Sequence, residues 1–185
     1  MKRHFQYALV LLGLLCPQAA HAQKTYALGI GGGPSIPVGH HLGDNQKAGY
    51  NAAVMMAIGV ADLPLGLRVD GVFSQFPRRD VLKPQNGGAG AYSFRVMGAL
   101  ANLVYAFPGT TAKPYIVAGA GWYSTKSIFV GSKRESDWGF NAGVGATFGL
   151  GPFATFIESR YHSISRSADK GGVIQFVPVT FGLLF

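Results

Sequence analysis

A chain of 185 residues suits one domain. Only 13% of it is charged, 27 residues are glycine and 12% are aromatic, and the mean hydropathy is positive, which is unusual for a soluble secreted domain. A net charge of +8 would ordinarily suggest nucleic acid, but the first residues exclude that reading, and the single cysteine excludes a disulfide framework.

Lys2 and Arg3 open the chain, an uncharged apolar run follows over 8–15, and Pro17 and Gln18 lead into Ala20-His21-Ala22. Basic start, apolar middle and an A-x-A site make a secretory signal. The run is too short for a spanning helix, which takes about 20 residues. Cleavage is expected after Ala22, dividing the chain into a signal peptide over 1–22 and a mature domain over 23–185. Cys16 offers a lipoprotein alternative, but the residue before it is Leu15 where a small one is needed. Cleavage removes Cys16, and with it any thiolate metal site or cysteine nucleophile. It also removes Lys2 and Arg3, which lowers the net charge to +6. The remaining basic charge then reads as a basic loop surface or as attraction to anionic lipopolysaccharide.

No later segment is apolar and unbroken for long enough to span a membrane as a helix. Period-two alternation recurs instead. Tyr26, Leu28 and Ile30 share one face and Ala27, Gly29 and Gly31 the other. The run Gly29-Ile-Gly-Gly-Gly-Pro34 superficially resembles a phosphate loop, but it lacks the following helix and the Lys-Ser/Thr pair. Tyr50, Ala52, Val54, Met56 and Ile58 alternate with Asn51, Ala53, Met55 and Ala57. Leu67, Val69, Gly71 and Phe73 alternate with Arg68, Asp70, Val72 and Ser74. A fourth strand over 91–106 is apolar on both faces, and placing Asn102 inward turns Arg95 outward near the upper rim. A fifth runs over 113–124. The clearest is the sixth: Trp138, Phe140, Ala142, Val144, Ala146 and Phe148 face Gly139, Asn141, Gly143, Gly145 and Thr147. At about 3.3 Å per residue and a tilt near 40°, it rises roughly 25 Å, the height of a membrane barrel's apolar band. A seventh covers 153–163. In the last, Val177, Val179, Phe181, Leu183 and Phe185 share a face.

The connections alternate in character. Those near 62–64, 108–111 and 150–152 are tight, while those over 39–48, 77–90, 125–135 and 165–172 are longer and more charged. Short periplasmic turns and long outer loops have that rhythm. Closure also satisfies every backbone amide and carbonyl within lipid. The expected fold is therefore an all-β, closed, antiparallel up-and-down barrel of about eight strands in the bacterial outer membrane, with both ends in the periplasm and no helix longer than two turns.

Several segments carry a resemblance: Arg68-Val-Asp-Gly-Val-Phe73, Ala101-Asn-Leu-Val-Tyr105, Pro114-Tyr-Ile-Val-Ala-Gly-Ala-Gly121, Gly139-Phe-Asn-Ala-Gly-Val-Gly145, Phe156-Ile-Glu-Ser-Arg-Tyr-His162 and the terminal Phe185. In this order they resemble the small outer-membrane β-barrel family, related in architecture to the outer-membrane protein A membrane domain and to OmpX. The resemblance implies recognition of the final strand by the barrel-assembly machinery.

Four charged residues are expected inside the barrel. Arg68 and Asp70 face the lumen from the third strand, Glu158 and Arg160 from the seventh, which lies across from it. Unpaired buried charges cost several kcal/mol. A structural ion network follows, pairing Arg68 with Glu158 and Asp70 with Arg160. His162 shares the inner face, and with Ser163 and Ser165 it suggests a hydrolase. A lipid A deacylase built on an eight-stranded barrel uses His, Ser and Glu. Its His-x-Ser spacing is missing here, and Ser163 points away from His162 on a regular strand. His40 and His41 are adjacent and diverge on a strand, so a metal site would need further partners. Catalytic, cofactor-binding and metal-binding residues are accordingly expected to be absent. Arg78, Arg79, Lys133 and Arg134 read as solvated loop charges or as contacts to lipopolysaccharide phosphates. Lys83, Lys126 and Lys170 also fall in the longer connections. The expected function is non-enzymatic, envelope-structural or surface-interacting through basic loops. The expected partners are outer-membrane lipids and lipopolysaccharide, and not nucleic acid. A lipid A-modifying enzyme and a soluble lipocalin-like binding barrel are the alternatives, while a pore is disfavoured because side chains just fill eight strands.

Overall fold

The structure, a computed structural model, describes residues 24–60, 64–78, 93–128, 134–150, 152–166 and 172–185. The signal peptide and its cleavage point lie outside these, as do Arg79, Lys83, Lys133 and Lys170. The strands are β1 (Lys24–Val38), β2 (Gly49–Val60), β3 (Leu65–Pro77), β4 (Ser93–Ala106), β5 (Ala112–Ile128), β6 (Glu135–Leu150), β7 (Phe153–Ile164) and β8 (Ile174–Leu184). Each pairs antiparallel with the next, and β8 returns to β1, so the sheet is closed. The final residue helps hold the seam: Phe185 and Leu28 exchange backbone hydrogen bonds of 2.8 and 3.1 Å.

Alternation in sequence becomes inside and outside. Tyr26, Leu28, Leu67, Val69, Trp138, Phe140 and Val144 project from the barrel, with Trp138 62% exposed. A soluble barrel would turn these side chains inward. The fourth strand is settled by Asn102, which is buried and hydrogen-bonded inside, so Val96 and Leu100 also face in and Met97 and Leu103 face out. Arg95 lies outward, over the outward Phe73 ring at 5.5 Å.

Proline shapes the closing strands. The β1–β8 ladder breaks between Gly32↔Phe181 and Ser35↔Pro178, and the β7–β8 ladder breaks between Ser159↔Val179 and His162↔Phe176. Pro34 and Pro178 sit in these breaks and have no amide to contribute. Asn51 bridges the first gap from within, its side-chain amide donating to the carbonyls of Pro34 at 2.8 Å and Val179 at 3.2 Å.

Two connections differ from the sequence reading. The one expected over 125–135 is shorter, because the ladder continues through Ser124↔Ser136 and Thr125↔Glu135 and β5 runs on to Ile128. Lys126 is therefore a strand residue. The extension is stitched from inside by Arg166, which pairs with Glu135 and, at 3.5 Å, with Asp137. In the first loop Gly39, at φ +72°, breaks β1 into a five-residue π-helix, Gly39–Gly43. Left-handed backbone of that kind suits glycine. The turn lays Leu42 into the mouth of the barrel, where it is buried.

Candidate functional site

The lumen is built in three layers. In the middle, Arg68, Asp70, Glu158 and Arg160 form a ring. Arg68 meets Glu158 at 2.8 Å and Asp70 at 3.0 Å, while Arg160 meets Asp70 at 2.6 Å and Glu158 at 2.8 Å. Each guanidinium thus contacts both carboxylates, and the ring is neutral. All four residues are at most 5% exposed. β3 and β7 stand across the barrel from one another, so period-two placement on two strands suffices to bring the charges together.

Polar side chains from the other strands complete the ring. Tyr115 donates to Glu158 at 2.9 Å, Asn102 to Asp70 at 2.9 Å and Asn141 to Asn102 at 2.9 Å. Arg160 donates to Asn141 at 3.3 Å, and Thr180 donates to Asn51 at 2.9 Å. The glycine face of β6 makes room for them. A side chain at Gly143 would meet Arg160, and one at Gly145 would meet the Tyr115 ring and hydroxyl. Tyr115 is the member that sequence reasoning missed. Its one signal was sharing a parity with the inward Gly119 and Gly121.

Above the ring the lumen is filled by Leu42, Phe76, Val96, Leu100, Tyr123, Ile164, Ile174 and Phe176. His162 belongs to this plug. Tyr123 and the His162 Nδ1 share a hydrogen bond of 2.8 Å, and the imidazole stacks on Phe176 at 4.8 Å and 9°. Among the described residues no serine hydroxyl bonds the other ring nitrogen. A nucleophile held and activated by its base requires that contact. Below the ring, towards the chain termini, an apolar cavity of about 230 Å³ is lined by Met55, Ala57, Val104, Phe156 and Leu184, with Arg68 and Tyr115 also on its wall.

The remaining sequence candidates are separate from this ring. Arg78 bridges backbone to Gln46 at the rim, and Arg134 is exposed just before β6. Arg79 and Lys133 are not among the described residues. His40 pairs with Asp44 at 3.5 Å on the exposed π-helix. Among the described residues no cluster of three or more His, Cys, Asp or Glu could hold a metal ion.

Comparison with known proteins agrees with this architecture. The family model of the outer membrane protein β-barrel domain matches residues 7–182. Neisserial surface protein A is similar in structure, with a TM-score of 0.65, 13% identity and coverage of 87% of this chain and 97% of that one. A major outer membrane protein of Thermus thermophilus has a TM-score of 0.54 at 14% identity, covering 88% and 98%. Ail, the attachment invasion locus protein of Yersinia pestis, has a TM-score of 0.44 at 20% identity, covering 90% and 100%. The likeness to the first two speaks for the fold alone. No curated protein matches by sequence.

Proposed function

Because this chain belongs to the outer membrane protein β-barrel domain family, we propose that it is a non-enzymatic outer-membrane barrel. Its role is envelope-structural and surface-interacting, exerted through its basic extracellular side. The observation that carries this reading is the filled lumen. Among the described residues a neutral ion ring below an aromatic plug fills the bore, and His162 is held by Tyr123 and Phe176. A barrel closed in this way acts by what it presents outside. The ring's role is to plug and rigidify the wall.

The partners that fit are the lipids around it. Arg78 and Arg134 supply basic charge at the outer rim, and Arg79 and Lys133 adjoin them in sequence; such a set suits lipopolysaccharide phosphates, and surface charges are screened over about 8 Å at physiological salt. Export by a signal cleaved after Ala22 and delivery through the barrel-assembly machinery complete the reading, with the seam-closing strand β8 as the segment recognised. The test uses the detergent-folded protein and lipopolysaccharide. Binding should weaken as salt rises and in an R78Q/R79Q/K133Q/R134Q variant, while the lipopolysaccharide should stay chemically unchanged by mass spectrometry. Salt-independent binding, or a cleaved or modified lipid, would overturn the reading.

A further inference from the structure

The outer wall of the barrel carries an arrangement that the loops do not explain. Rungs of the ladder can be followed across five strands. One rung places Tyr50, Gln75, Arg95 and Lys126 side by side through the pairs Tyr50↔Gln75, Gln75↔Arg95 and Arg95↔Lys126. Arg134 continues it, since the next residue, Glu135, is the partner of Thr125. Three cations, from β4, β5 and the residue just before β6, therefore stand in a row on the lipid side. Like charges directly opposite one another destabilise a sheet. Among the described residues Arg95 meets only neutral partners, the Gln75 side-chain carbonyl at 3.3 Å and the Phe73 ring at 5.5 Å. The acids of this region do not relieve the row: Glu135 and Asp137 point inward to Arg166, and Asp70 and Glu158 are in the lumen. Among the described residues no carboxylate faces outward on β2–β6.

Directly beneath the row lies a furrow. The rung below holds Ala52, Phe73, Met97 and Ser124, and the next holds Val54, Gly71, Ala99 and Trp122. The small residues Ala52, Gly71 and Ala99 leave an open, almost wholly apolar groove of about 520 Å³ between larger neighbours, and Arg134 lines it as well. Trp122 packs edge-on against Trp138 at 5.3 Å, both exposed outward. Paired tryptophans mark the interfacial girdle of a membrane barrel. Lys126 is four residues above Trp122, about 10 Å higher at the usual rise and tilt. That height is the headgroup level of the outer leaflet.

We infer that Arg95, Lys126 and Arg134, with the furrow below them, form a seat for one phosphorylated glycolipid of the outer leaflet. A lipid A phosphate bridges the three cations and one acyl chain lies in the furrow. The inference deepens the lipopolysaccharide reading above and rests on it, but moves the contact from the loops to the wall. A phosphate bound by guanidinium groups gains charge-assisted hydrogen bonds, and it removes the repulsion along the row.

The test is lipid binding to the detergent-folded barrel by native mass spectrometry, with tryptophan emission as the local readout. Both tryptophans of the chain lie at the seat. Lipid A should bind and shift the emission. Lipid A stripped of its phosphates should bind at least tenfold more weakly, and inorganic phosphate alone should not shift the emission. R95Q/K126Q should weaken lipid A at least tenfold. A99F, which fills the furrow and keeps every charge, should also weaken it, and R78Q/R79Q should retain the binding. Unchanged affinity in both R95Q/K126Q and A99F overturns the seat. If R78Q/R79Q alone abolishes binding, the loop reading stands and the wall seat fails. If the unaltered protein does not bind lipid A at all, both fail.

Discussion

Glu158→Gln removes one charge from the lumenal ring while nearly keeping the side-chain volume. Glu158 contacts Arg68 and Arg160, each at 2.8 Å, and accepts from Tyr115 at 2.9 Å. After the change, Arg68 and Arg160 share the single carboxylate of Asp70, and the buried ring carries an excess positive charge. Breaking a buried pair by removing one partner costs about 3–5 kcal/mol. For a domain of this size each kcal/mol is worth roughly 2–4 °C, so the loss is about 6–20 °C in the unfolding midpoint. Heat-modifiable gel mobility in detergent reads it, since the folded barrel and the unfolded chain migrate differently. Asp44→Asn is the control, because its partner His40 is exposed and such pairs contribute at most about 1 kcal/mol. A second variant, Glu158→Gln with Arg160→Met, restores neutrality and should lose less than the sum of the two single changes. Equal midpoints for Glu158→Gln and the unaltered protein would refute the idea that the ring holds the barrel.

Tyr123→Phe should cost about 1–3 kcal/mol, because it strips the His162 Nδ1 of its buried partner, and a urea titration of the detergent-folded protein would register it. Gly145→Val should cost about 1–3 kcal/mol by overpacking, since it displaces the Tyr115 ring and its bond to Glu158. The same titration would show a lowered midpoint, and an unchanged one would contradict the packing described for β6. In bilayers containing brominated lipid, emission from Trp122 and Trp138 should be strongly quenched, because both face outward; emission as bright as in unbrominated lipid would place them elsewhere.

The inner and outer faces of most strands are legible in the sequence because lipid and lumen impose opposite chemistry at a period of two. Arg68, Asp70, Glu158 and Arg160 stand out on that ground, since charge within otherwise apolar strands has one place to go. The fourth strand resists such reading because Val96 and Leu100 pack a lumenal plug while Met97 and Leu103 meet lipid, so both faces are apolar. Its facing is fixed by Asn102, whose partners Asp70 and Asn141 lie on other strands. The length of β5 is concealed for another reason: towards the outer rim the strand turns polar on both faces, and Ser124, Thr125 and Lys126 look like a loop. The row of Arg95, Lys126 and Arg134 depends on register between strands. Register is set by turns and pairing across the sheet, which no single segment encodes.

The closure of the lumen is tested most directly by planar-bilayer conductance of the folded protein. A neutral ring of Arg68, Asp70, Glu158 and Arg160 under a plug of Phe76, Tyr123, His162 and Phe176 predicts a silent bilayer, with no sustained current steps at any moderate voltage. Stable, ohmic steps from the unaltered protein would contradict it, for they would mean that ions pass where the side chains are packed.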